Sequence, residues 1–195
     1  MPFDRIGVYD NSQFDHIPSG STFILRRSHS GNRLRLKLRY ENDDGTESPA
    51  GFVEATCNYD SFLVDGPIGS ECHYTVRQIL VFDRYRNISL GALLMFIIAR
   101  EVQINGGVYL YLAYPVAEAL GFYIQFGFHP APEHVAKRHK MAQEERSGEG
   151  LDATIPFQDK FAMRRKYSLW RGYVSIALEF LLKKLNGIFT FHHPF

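Results

Sequence analysis

The sequence predicts an α/β (α+β) fold, a single domain built around a β-α-β-α unit. Two apolar runs of strand length, Ile79-Leu-Val-Phe82 and Val108-Tyr-Leu-Tyr-Leu-Ala113, frame that unit. Between them, residues 89 to 103 are apolar almost all round, as a deeply buried helix is, and Asn105-Gly-Gly107 supplies the stop. Upstream, Arg33-Leu-Arg-Leu-Lys-Leu-Arg-Tyr40 alternates basic and apolar side chains with period two, the mark of a half-buried strand with a basic outer face. A chain of 195 residues suits one domain over 1–195, with a core at about 20–168 and a helical extension at 169–195.

The elements follow in order. Residues 1 to 20 are polar and end in Pro18-Ser-Gly20, so they read as loop or a short helix. Thr22-Phe-Ile-Leu-Arg26 is a short strand, and Asn42-Asp-Asp-Gly-Thr46 is a tight turn between the alternating strand and a partner at 50–59. Residues 60 to 72 are irregular, and 74 to 82 form a strand whose end is apolar enough to be covered on both faces. After the buried helix and the 108–113 strand, Pro115 opens a second helix that runs to Gly127. Residues 130 to 156 change to charged and flexible composition, and 161–167 is a late strand. The last helix spans about 169–185, with Trp170, Val174, Leu178, Leu181 and Leu185 as one apolar stripe. Core packing is the simplest use of that stripe; a homodimer or protein-docking surface is the second.

Bulk properties narrow the partners. The formal net charge is +1, so no global field favours nucleic acid, and no partner of that kind is expected. No apolar run reaches ~18 residues, so no transmembrane segment is expected. The N-terminus lacks the plan of a signal peptide, which makes the cytoplasm the expected location. Cys57 and Cys72 read as free thiols. His129, His134, His139, His192 and His193 fit no ligand spacing, so no metal is expected.

The segment from Val81 to Ala92 carries the chemistry. An apolar strand stops, a charged loop follows, and Asn87-Ile88-Ser89-Leu90-Gly91-Ala92 opens the buried helix. A helix start has backbone N–H groups without intrahelical partners and a partial positive charge, which together hold phosphate. Arg86 adds a planar, permanently charged clamp beside it.

Arg86 to Gly91 resembles the acyl-CoA pyrophosphate loop of the GCN5-related N-acetyltransferase (GNAT) superfamily. Ala119-Leu-Gly-Phe-Tyr123-Ile-Gln-Phe-Gly127-Phe128 resembles that family's Ala-x-x-x-Tyr-x-x-x-Gly-Phe signature. Both motifs stand in the family's order, and the match covers residues 74–128. The resemblance implies a mixed, mostly antiparallel GNAT-like sheet with a V-shaped splay between two parallel strands. It implies acetyl-CoA or another acyl-CoA as cofactor, and no metal. The pyrophosphate would rest on the amides of 87–92, the pantetheine arm would lie along Ile79, Leu80 and Val81, and a backbone N–H near Val81 would hold the thioester carbonyl. Tyr123 would protonate the departing thiolate.

Three positions depart from the family pattern. Ser89 stands for the loop's first glycine, Val116 for a common asparagine, and no carboxylate lies at the end of the 74–81 strand. Glu54 on the preceding hairpin, Glu71, His73 and Asp83 are the available alternatives for a base; none is marked out by sequence, and Glu54 is carried forward as the candidate. The implied activity is N-acyl transfer, most simply acetyl transfer, to the amine of a small molecule or protein. The alternatives are a degenerate GNAT-fold binding or scaffold protein and an effector acting on a macromolecular partner.

Overall fold

A computed structural model describes residues 4–8, 17–18, 20–58, 73–113, 115–132 and 169–191. Nine strands make one sheet: β1 (Asp4–Val8), β2 (Thr22–Ser30), β3 (Arg33–Glu41), β4 (Glu47–Asn58), β5 (His73–Val81), β6 (Tyr109–Ala113), β7 (His129–Pro130), β8 (Leu169–Tyr173) and β9 (Phe189–Phe191). Their order across the sheet is β7-β8-β6-β5-β4-β3-β2-β1-β9. Every neighbouring pair is antiparallel except β5–β6, which is parallel. The helices are α1 (Leu90–Ile104), α2 (Leu120–Ile124) and α3 (Val174–Leu185).

Period-two patterning sets the sheet's inner face. Leu34, Leu36, Leu38 and Tyr40 of β3 are buried, as are Val53, Ala55 and Cys57 of β4, and the polar residues between them face outward. Helix α1 buries Leu90, every residue from Ala92 to Ala99, and Val102. It can be apolar all round because the sheet covers one side and α3 covers another. Cys57 is buried on the inner face of β4.

The parallel pair splays. Pairing of β5 with β6 runs only from Tyr74↔Leu110 to Val76↔Leu112, although β5 continues to Val81. A bulge accompanies the divergence. Glu54 of β4 pairs with Gln78 and Ala55 pairs with Val76, which leaves Arg77 as the extra residue. Such a bulge bends its strand and increases local twist. The mixed sheet with its V-shaped opening is therefore as expected.

Several boundaries differ from the sequence reading. Residues 4–8 are a strand rather than loop or helix, because β1 finds partners in β2 and β9 that only the folded chain supplies. Residues 169–173 are strand β8, not the start of the last helix, so Trp170 lies on the sheet. Gly172 lets β8 pass under the Phe128 ring, since a Cβ there would sit 3.0 Å from that ring. The second helix shrinks to α2 and a preceding 3₁₀ turn at Ala117–Ala119. Gly121 weakens its middle, and Gly127 ends the turn with φ +79°. Ile79, Leu80 and Val81 are half-buried rather than covered on both faces, because β6 departs there. The expected 161–167 strand, the 60–72 loop, Cys72, Glu71 and most of 130–156 lie outside the described residues.

The stripe on the last helix is core. Val174, Ala177, Leu178, Leu181 and Leu185 join the same apolar cluster as α1, so this stripe is not open to a partner. Among the described residues no helix is long and apolar enough to cross a membrane.

Candidate functional site

The loop between β5 and α1 has an unusual backbone. Asn87 and Ser89 both adopt left-handed conformations, with φ +66° and +60°. Asparagine tolerates that region better than most residues, and serine less well. Ser89 is the helix N-cap, but its side chain makes no capping bond. The first helical hydrogen bond runs from the Leu93 N–H to the Ser89 carbonyl. The amides of Asn87 through Ala92 consequently donate to no acceptor among the described residues. Unengaged donors at a helix start can hold an anion.

A groove of about 340 Å³ opens over this loop. Its walls include Val81, Arg86, Asn87, Ser89, Gly91 and Ala92 from the expected set. Leu90 of that set and Tyr85 line it too, and from elsewhere in the fold Phe122, Gln125 and Lys184 complete it; among the described residues no acidic side chain lines it. Sequence reasoning did not single out these last three. Phe122 neighbours Tyr123 and could have been inferred, whereas Lys184 arrives only through tertiary packing. The Arg86 guanidinium is largely exposed and pairs with Asp83 at 2.9 Å. Ile88 belongs to the expected set by its backbone alone, for its side chain is 2% exposed in the core. Tyr85 packs beneath the loop against Tyr40 and Phe23, and burial raises its phenol above the usual tyrosine range.

A second cavity, of about 160 Å³, occupies the splay. Val76, Arg77, Gln78 and Ile79 of β5 face Leu112, Ala113, Val116 and Tyr123 across it. The two cavities share their walls' elements. β5 contributes Ile79 to one and Val81 to the other, and α2 contributes Tyr123 to one and Phe122 to the other. Amide direction along β5 follows from one bond, Phe82 N–H to the Ala50 carbonyl. Alternation then points the Leu80 amide toward β4 and those of Ile79 and Val81 toward the open edge. Gly51 permits this close approach of the strands, since a Cβ there would meet the Leu80 carbonyl oxygen at 2.7 Å.

Tyr123 is half-buried and packs edge-on against Phe122 and Phe128, with ring centroids 5.2 Å and 6.1 Å away. Burial raises its phenol above the ordinary value near 10. It therefore stays protonated at neutral pH, as a proton donor must. Glu54 lies one strand away. It pairs across the ladder with Gln78 and sits 3.9 Å from Arg35, but it lines neither cavity. Val116 is 62% exposed at the cleft wall. Among the described residues no group of histidine, cysteine and acidic side chains is placed to hold a metal.

No protein-family model and no curated protein matches the sequence. Solved structures with a similar fold include Tetrahymena GCN5, 15% identical over 74% of this chain and 70% of that one, with a TM-score of 0.44. A putative acyl-CoA N-acyltransferase from Klebsiella pneumoniae is 11% identical over 73% of each chain, TM-score 0.42. The NatC complex bound to Gag peptide and CoA is 17% identical over 50% of this chain and 58% of that one, TM-score 0.41. Likenesses this distant carry no argument about activity. Its own strand order, with one splayed parallel pair whose first strand runs into a helix-opening loop, is the mixed architecture that the sequence resemblance implies.

Proposed function

We propose that this protein is an acyl-CoA-dependent N-acyltransferase, most simply an acetyltransferase. The observation that carries the reading is the run of unengaged amides from Asn87 to Ala92 beside Arg86, at the mouth of the splay. Those donors and the guanidinium suit a diphosphate. The edge amides and carbonyls of Ile79 and Val81 suit an amide-bearing pantetheine arm laid along β5 as an added strand, past Leu80.

The chemistry then falls in the cleft. An amine attacks the thioester carbonyl, and a backbone N–H at Ile79 or Val81 donates to the developing oxyanion. As the C–S bond breaks, Tyr123 gives its phenolic proton to the sulfur. Glu54, a carboxylate on the strand next to β5 and on the face of its cross-strand neighbour Gln78, takes the amine's proton through water. Ser89 replaces a glycine without removing any backbone donor, so the anion site survives the change.

Thiol release from acetyl-CoA with a panel of amines and peptides tests the proposal, with turnover as the expected result. Failure of the protein to bind acetyl-CoA at millimolar concentration would refute it. A second reading is a binding or scaffold protein that kept the fold and lost the chemistry. Val116 and the lack of a carboxylate on the end of β5 favour it. Tight binding of acetyl-CoA with no turnover of any amine would select that reading. A homodimer or protein partner would meet α3 on its outward side, where Ile176, Phe180 and Leu182 are exposed. The cytoplasm is the proposed location.

A further inference from the structure

We propose that Lys184 is a phosphate-binding residue, so that the C-terminal helix completes the donor groove. The inference rests on the acyl-CoA reading of that groove and extends it to an element that neither motif contains.

Lys184 lies in the last turn of α3 and lines the groove opposite the loop of residues 86–92. It has no ion-pair partner among the described residues. Its neighbour Lys183 is engaged elsewhere, 2.7 Å from Glu179 and over the Phe180 ring. Arg86 is half-committed to Asp83. Lys184 is thus a groove-lining cation without an ion-pair partner among the described residues, which place no acidic side chain on the groove wall.

The fold makes this placement rigid. Ala177, Leu181 and Leu185 lock α3 onto the core that also holds α1, so the ends of the two helices keep their spacing. Backbone donors at the start of α1 bind phosphate oxygens directionally. A lysine ammonium adds a mobile point charge with three rotatable donors. That charge suits whichever phosphate protrudes from the amide cradle, either the diphosphate or a ribose phosphate.

Isothermal titration of CoA into wild type, Lys184→Gln and Lys183→Gln, at low and at physiological salt, tests the inference. Lys184→Gln is expected to weaken CoA binding about three- to fivefold at low salt, with a smaller loss when salt screens the contact. Lys183→Gln, whose lysine does not line the groove, is expected to bind as wild type does. Repeating the titration with 3′-dephospho-CoA separates the sources. A persisting deficit assigns the contact to the diphosphate, a vanishing one to the 3′-phosphate, and either supports the inference. Equal affinity of wild type and Lys184→Gln for CoA, at both salt levels, overturns it while leaving the acyl-CoA reading intact. Failure of wild type itself to bind CoA overturns both.

Discussion

Two side chains concentrate the residue-scale physics. Ser89 holds φ +60°, a conformation that costs a residue with a Cβ about 1–2 kcal/mol. Its hydroxyl caps nothing, so that strain has no local return. Ser89→Gly is expected to raise stability by roughly 0.5–1 kcal/mol in urea unfolding, since glycine relieves the strain but adds freedom to the unfolded chain. CoA affinity should be kept or improved. A destabilised variant would show that the hydroxyl makes a contact of its own. Tyr123 poses the complementary test. Tyr123→Phe keeps the ring's packing and removes the proton, so kcat should drop about 10²–10⁴-fold with little change in acyl-CoA binding. Burial raises this phenol, so its acid form persists to higher pH than a free tyrosine's. The alkaline limb of the rate profile that belongs to Tyr123 should therefore lie above about pH 10. A limb assigned to it below that value would contradict the burial.

At the scale of elements, close approaches and tertiary partners decide what local pattern leaves open. Gly51→Ala would push a methyl group to 2.7 Å from the Leu80 carbonyl oxygen, and backbone cannot step aside cheaply. A loss of about 1–3 kcal/mol is expected by chemical denaturation. The damage should include weaker CoA binding, because the opposite edge of the same strand segment faces the donor groove. Helix α3 gives a sharper test. Leu181 is fully buried between α3 and α1, so Leu181→Ala should cost about 2–5 kcal/mol. Removing residues 169–195 should unfold the protein rather than leave cofactor binding intact, since β8 sits within the sheet and α3 within the core. A truncated chain that still binds CoA would return this region to the status of an appendage.

Over the whole molecule, the legible parts are those whose signal is local. The alternation of residues 33–40, the all-round apolar helix α1 and the glycine stop at 106–107 each state their structure within a dozen residues. The helix start after the 86–89 loop and the short helix that carries Tyr123 are legible because their spacing is local too. The rest needed partners distant in sequence. Residues 169–173 carry no helix-breaking cue strong enough to reveal β8, and pairing with β6 decides their state. β1 and β9 are short strands at one side of the sheet, with β9 at its edge, and they pair with each other, one from each end of the described chain. Lys184 lies almost 100 residues from Arg86 and meets the groove only because α3 packs on α1.

The proposed function comes down, at this scale, to one placement: a helix start with unengaged amides at the open end of a splayed strand pair. Amide chemical shifts of the isotopically labelled protein during titration with CoA report on that placement most directly. Saturable shifts concentrated at the amides of 87–92 and at Ile79 and Val81 are expected. Saturable shifts elsewhere that leave 87–92 unmoved, or no shifts at millimolar CoA, would contradict the proposed function.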